Sequence, residues 1–143
     1  MPKAHIIRFE DIKIGQEASF DTRITDDMVS SFAQLSGDFN PLHIDDTYAA
    51  QTEFKHRIPH GFLGASFFSR LVGMHLPGQY SLYLAQHIFF RKPLGIGMTL
   101  LIKGTVVQKI DSVHTIKIAM QVIDHATSTV LIDGEGVVKV LDV

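Results

Sequence analysis

Between Gly61 and Leu76 the chain reads Gly-Phe-Leu-Gly-Ala-Ser-Phe-Phe-Ser-Arg-Leu-Val-Gly-Met-His-Leu, and Pro77-Gly78 closes it. A helix of this composition has almost no polar face and must be enclosed by other structure. The rest of the chain reads as strands near Leu82 to Phe90, Thr99 to Ile110, Val113 to Ile123 and Val130 to Leu141, rich in Val, Ile and Thr and separated by turn residues. No helical stretch lies between these strands to carry a parallel crossover, so neighbours are expected to pair antiparallel. The expected class is α+β: one antiparallel sheet wrapped around one long central apolar helix.

The first half of the chain is more broken. Ala18 to Ile24 alternates as a short strand, and Thr25-Asp26-Asp27 offers a capping hydroxyl followed by acids in a first turn. A helix is expected from Asp26 to Leu35, its apolar stripe being Met28, Val29, Phe32, Ala33 and Leu35, with Gly37 and Asn40-Pro41 as stop signals. Asp38 to His43 is then expected to be loop. Asp45-Asp46 opens a second short helix through Ala50, and Lys55 to Pro59 returns to irregular backbone.

A chain of 143 residues, 45% hydrophobic, fits a single domain over 1–143. Thirteen basic against 15 acidic residues, with no basic run beyond Arg91-Lys92, gives no footprint for a phosphate polymer, so nucleic acid is not an expected partner. Charges interrupt the first ten residues too often for a signal peptide, and no apolar run approaches membrane-spanning length. A soluble, cytoplasmic protein is expected. Absence of cysteine excludes disulfides, thiolate nucleophiles and sulfur-ligated metals. His56 and His60 are four apart, but Pro59 between them argues against the shared helical face that metal ligation at that spacing needs.

The chemistry gathers in Ser36-Gly37-Asp38-Phe39-Asn40-Pro41-Leu42-His43 and Ile58-Pro59-His60-Gly61. Adding or removing water needs a group that takes a proton, one that positions or gives one, and a donor where charge develops on oxygen. Asp38 and His43 supply the first two, and the backbone N–H of Gly61, at a helix N-terminus with no side chain in the way, supplies the third. Asn40 and Pro41 would stiffen the turn between the pair. Each residue also has a plainer reading: Asp38 as a turn residue, His43 as a packed or solvated ring, His60 as the group satisfying the start of the buried helix. For His60 the plainer reading is preferred. The pairs Phe67-Phe68 and Phe89-Phe90 read as core before they read as a substrate tunnel.

This ordered set resembles the MaoC-like family of (R)-specific enoyl-CoA hydratases, through Phe32 to His43, Ile58 to Ser69, the Leu76-Pro77-Gly78 helix exit and Phe90-Arg91-Lys92-Pro93-Leu94. The resemblance implies the hot-dog fold. It also implies reversible hydration of trans-2-enoyl-CoA to (R)-3-hydroxyacyl-CoA, with no metal and no cofactor, CoA being part of the substrate. Small bacterial members that feed fatty-acid oxidation intermediates into polyhydroxyalkanoate synthesis look similar in size and motif. Carried over, the catalytic aspartate falls on Asp38, the catalytic histidine on His43, the oxyanion glycine on Gly61, and a hydroxyl near the pair on Ser69. The chain departs from the family pattern at Pro59 and Gly64, where larger aliphatic residues are usual, and at Met98, where aspartate is; the first two bear on the acyl pocket and the third on a turn.

An exposed sheet edge makes a homodimer the expected assembly, and the resemblance puts the CoA thioester near its interface. Arg57, Arg91 and Lys92 are candidates for the CoA phosphates, or else solvated surface charges. Three other functions share the fold: dehydration on an acyl carrier protein, acyl-CoA thioester hydrolysis, and non-catalytic acyl-CoA binding.

Overall fold

Thr25 opens the first helix as its composition predicts, its Oγ1 accepting from the Met28 N–H at 3.2 Å. The computed structural model, which describes residues 1–142, places strand β1 at Glu17–Arg23 and helix α1 at Asp26–Ser36. Gly37, at φ +79°, ends α1 in the left-handed conformation that glycine adopts without strain. Two short helices follow, α2 at Pro41–Ile44 and α3 at Asp46–Ala50. The expectation of loop through His43 is thus corrected. Asn40 caps α2, its Oδ1 accepting from the Leu42 N–H at 3.0 Å, and Pro41 stands in the first turn, where its missing N–H is not needed.

Helix α4 spans Gly61–Arg70 and continues as a π-helical turn, Leu71–His75. Strands β2 (Ser81–Phe90), β3 (Thr99–Ile110), β4 (Thr115–Asp124) and β5 (Thr129–Val140) complete a five-stranded sheet in the order β1-β3-β4-β5-β2. Every pairing is antiparallel. The break expected after Ile110 is a 3-10 turn, Asp111–Val113, so Val113, expected to start a strand, belongs to the turn between β3 and β4.

The sheet curls around α4. Leu63, Phe68, Leu71 and Val72 share one buried cluster with Leu100, Ile102, Ile116, Ile118, Met120, Val122, Ile132 and Val138. Phe68 is 2% exposed; emptying such a site to alanine costs about 3–5 kcal/mol. Gly64 lets the helix sit this close, since a Cβ there would lie 2.5 Å from Leu94 Cδ1 and 2.9 Å from Ile132 Cδ1. Enclosure is incomplete, contrary to the expectation from composition. Phe62, Ser66 and Ser69, spaced as one helical stripe, are exposed in the single chain, Phe62 by 63%. Among the described residues no helix is long and apolar enough to cross a membrane.

Candidate active site

Three backbone-directed bonds build the segment between α1 and α2. Ser36 Oγ accepts from the Asp38 N–H at 3.1 Å, Asp38 Oδ1 accepts from the Asn40 N–H at 3.1 Å, and Asn40 then caps α2. The Asx turn spends one carboxylate oxygen of Asp38 on the backbone and leaves Oδ2 for chemistry. The chain returning from α3 runs beside α2: the Ile58 N–H donates to the Leu42 carbonyl at 3.3 Å, and His43 Nδ1 lies 2.7 Å from the Ile58 carbonyl. A carbonyl only accepts, so Nδ1 carries the hydrogen and Nε2 presents a lone pair. That lone pair belongs to the nitrogen 4.0 Å from Asp38 Oδ2.

Four ångströms is too long for a direct hydrogen bond. It is close to the spacing of two acceptors that share one water, since two contacts of about 2.8 Å opened by roughly a tetrahedral angle span about 4–4.6 Å. Both atoms accept, so a water held between them gives up its hydrogens to protein and keeps its lone pairs for an electrophile.

His43 and Gly61 line one cavity of about 220 Å³ with Ile58, Pro59, Phe90, Arg91, Lys92, Pro93, Leu94 and Ile132. Asp38 lies outside that lining, its side chain 50% exposed. Gly61 is the first residue of α4, so its N–H has no carbonyl inside the helix to donate to. A Cβ on Gly61 would sit 2.8 Å from the Phe90 ring. Larger hollows, of about 540 Å³ around Lys103 and Glu135 and about 800 Å³ beside Arg57 and Met98, contain neither the acid–imidazole pair nor a helix-start amide.

The other expected residues fall differently. Arg57 pairs with Asp26 at 2.9 Å and Asp46 at 2.7 Å and donates to the His43 carbonyl at 3.3 Å. Its hydrogen bonds hold the Asp26 carboxyl below the usual carboxylate range, and its own value is raised by the same bonds. With two carboxylates matched to it, Arg57 braces the returning chain. Arg91 lies over Phe89 at 4.6 Å and bonds Asp133 at 3.2 Å. Lys92 lines the cavity. Ser69 faces out on the uncovered stripe of α4, away from the cavity lining. Met98 sits in the turn expected of it, its N–H donating to the Gly95 carbonyl.

His60 corrects the reading preferred for it. It stands at the N-cap of α4 but makes no side-chain cap bond. Asp38, His43 and His60 each offer an atom within 4.8 Å of the others, as a metal site would. The His43 and His60 rings are stacked at 4.0 Å and 29°, each with one nitrogen on a backbone carbonyl, Nδ1 of His43 on Ile58 and Nε2 of His60 on Asp38.

The family model for the MaoC like domain matches residues 9–128, most of the chain. The chain belongs to the MaoC-like domain family. This MaoC-like protein is 38% identical over 134 residues to an (R)-specific enoyl-CoA hydratase of Rhodospirillum rubrum, covering 90% of this chain and 93% of the relative. It superposes on an unliganded R-hydratase of Pseudomonas aeruginosa with a TM-score of 0.92 at 31% identity, over 98% of this chain and 89% of that one. It also matches an (R)-hydratase of Aeromonas caviae involved in PHA biosynthesis, with a TM-score of 0.89 at 35% identity, over 92% and 99%. The hot-dog fold that the resemblance implies is the one these structures share.

Sequence reasoning missed two members of the site. The Ile58 carbonyl, which sets the His43 tautomer, has no signature because every residue carries a carbonyl. Phe90, whose ring lies against Gly61, stood in the stretch that carries the resemblance, but its own side chain read as core.

Proposed function

We propose that this MaoC-like protein adds water reversibly to trans-2-enoyl-CoA, giving (R)-3-hydroxyacyl-CoA. The carrying observation is the 4.0 Å gap between Asp38 Oδ2 and His43 Nε2, set beside a cavity that opens onto the Gly61 amide. The relatives named as (R)-specific hydratases support the reaction class. Asp38 takes a proton from the held water as its oxygen bonds the β-carbon. The displaced π electrons move onto the thioester oxygen, where the Gly61 N–H and the positive end of α4 meet them. His43 holds the same water and assists return of a proton to the α-carbon. Adding water changes no net oxidation state, so the reaction as proposed draws on no redox cofactor, and no step asks for a metal.

The CoA phosphates are assigned to Arg91 and Lys92, at the cavity's rim-forming strand end. A homodimer is part of the reading. Strand β2 is a ten-residue sheet edge bearing exposed Leu82, Leu84 and Phe89, beside the uncovered Phe62 of α4; a long apolar edge is what a second copy would seal. Because CoA thioesters are intracellular metabolites, a cytoplasmic location goes with this substrate.

The test is hydration of a crotonyl-to-octenoyl-CoA series with chiral analysis of the product. Wild type should give the (R) alcohol, and Asp38→Asn and His43→Ala should each lose roughly 10²–10⁴-fold in kcat. Full activity in both variants would overturn the assignment of Asp38 and His43, and thiol release from saturated acyl-CoA in place of hydration would overturn the reaction.

A further inference from the structure

We propose that His60 is the positioning residue that holds Asp38 and His43 in their working geometry, a role that rests on the hydration reading above. His60 is 2% exposed, and its Nε2 lies 3.0 Å from the Asp38 carbonyl. The acceptor is a carbonyl, so Nε2 is the donor. That bond pins the Asp38 backbone, while the Asx turn pins its Oδ1. With both fixed, the position of Oδ2 is decided.

The same ring governs His43 in a second way. A single hydrogen bond from Nδ1 to the Ile58 carbonyl sets the direction of His43 in its own plane but leaves the ring free to roll about that bond. Stacking on His60, with centroids 4.0 Å apart, removes the roll. Phe32 from α1 packs on His60 at 4.9 Å and steadies the stack. One buried ring therefore restrains the base through its backbone and the imidazole through its face.

Two features speak against a purely structural role. A serine, asparagine or aspartate at an N-cap would bond the first-turn amides, yet the His60 side chain makes no cap bond and reaches instead to the Asp38 carbonyl. Moreover, His60 Nδ1 is buried with no hydrogen-bond partner among the described residues. An orphaned buried nitrogen costs local stability, a cost that a purely structural group at this position would not carry.

The donor and the ring face separate by substitution. His60→Ala removes both, His60→Gln restores a terminal N–H donor, and His60→Phe restores the face. In the full-length protein, His60→Ala should lower kcat on crotonyl-CoA roughly 10- to 100-fold with KM within about threefold, as displaced catalytic groups do. Gln and Phe should each recover part of that loss. Side-chain ¹⁵N spectra of His43 should show its ring environment changed in the Ala and Gln variants and kept in the Phe variant. Thermal melts and circular dichroism establish that each protein is folded, and if the Ala variant is not, the Gln and Phe pair decides. Wild-type kcat in the folded variants overturns the proposal, as does failure of both Gln and Phe to recover activity over Ala. Asp38→Asn run in parallel separates the two claims. If it is inactive while the His60 variants work, only the positioning role falls; if it keeps wild-type kcat, the assignment of Asp38 falls first, and a wild type that hydrates no enoyl-CoA overturns the hydration reading itself.

Discussion

At the residue scale the site depends on the absence of a side chain as much as on the presence of two. The space over the Gly61 amide is bounded by the Phe90 ring, 2.8 Å from where a Cβ would stand. Gly61→Ala must push that ring or tilt the first turn of α4, so the amide proposed as the oxyanion donor moves while Asp38 and His43 stay. The expected result is a loss of roughly 10²–10³-fold in kcat with a destabilisation of about 1–3 kcal/mol, read from crotonyl-CoA hydration and urea melts. Undiminished kcat would show that this amide is not the donor. Asp38, His43 and Gly61 were legible because acid, imidazole and glycine are chemically distinct letters in a fixed order. His60 was legible as a residue but not as a role, since whether a ring caps a helix or stacks on a neighbour is decided in three dimensions.

At the scale of elements, the strands announced themselves because β-branched runs between turn residues have few other solutions, and their boundaries fell within one residue except at the start of β4, two residues late. Helix α2 was misread for a different reason. Asn40-Pro41 is as much a cap followed by a first-turn proline as a stop signal, and with only four residues behind it no periodicity could choose between them. The π turn after α4 was equally invisible, yet it carries a pH dependence. His75 there lies against Phe20 at 5.1 Å and His5 at 5.4 Å, and burial, His5 and Arg70 hold it below its ordinary value of 6.5. The unfolded chain thus binds this proton more readily than the folded one, so the stability present above pH 6.5 is lost as pH falls through the folded value. His75→Gln should therefore flatten the decline in urea stability between about pH 7 and pH 5. An unchanged decline would place acid sensitivity elsewhere.

At the scale of the whole molecule, the two edges of the sheet are unlike. Strand β1 is seven residues long and alternates exposed with half-buried residues, whereas β2 is ten long and shows Leu82, Leu84 and Phe89 to solvent. The dimer is expected along β2, and Leu84→Lys should shift the sedimentation coefficient from dimer to monomer, a charge on an edge being the usual deterrent to strand pairing. A dimer that survives Leu84→Lys unchanged would move the contact to another face. Phe90 ends this same strand, touching Phe62 on one side and screening the start of α4 on the other. Association and turnover consequently report on one aromatic ring: as the protein is diluted past its dissociation midpoint, rate per chain should sag along the same curve as mass.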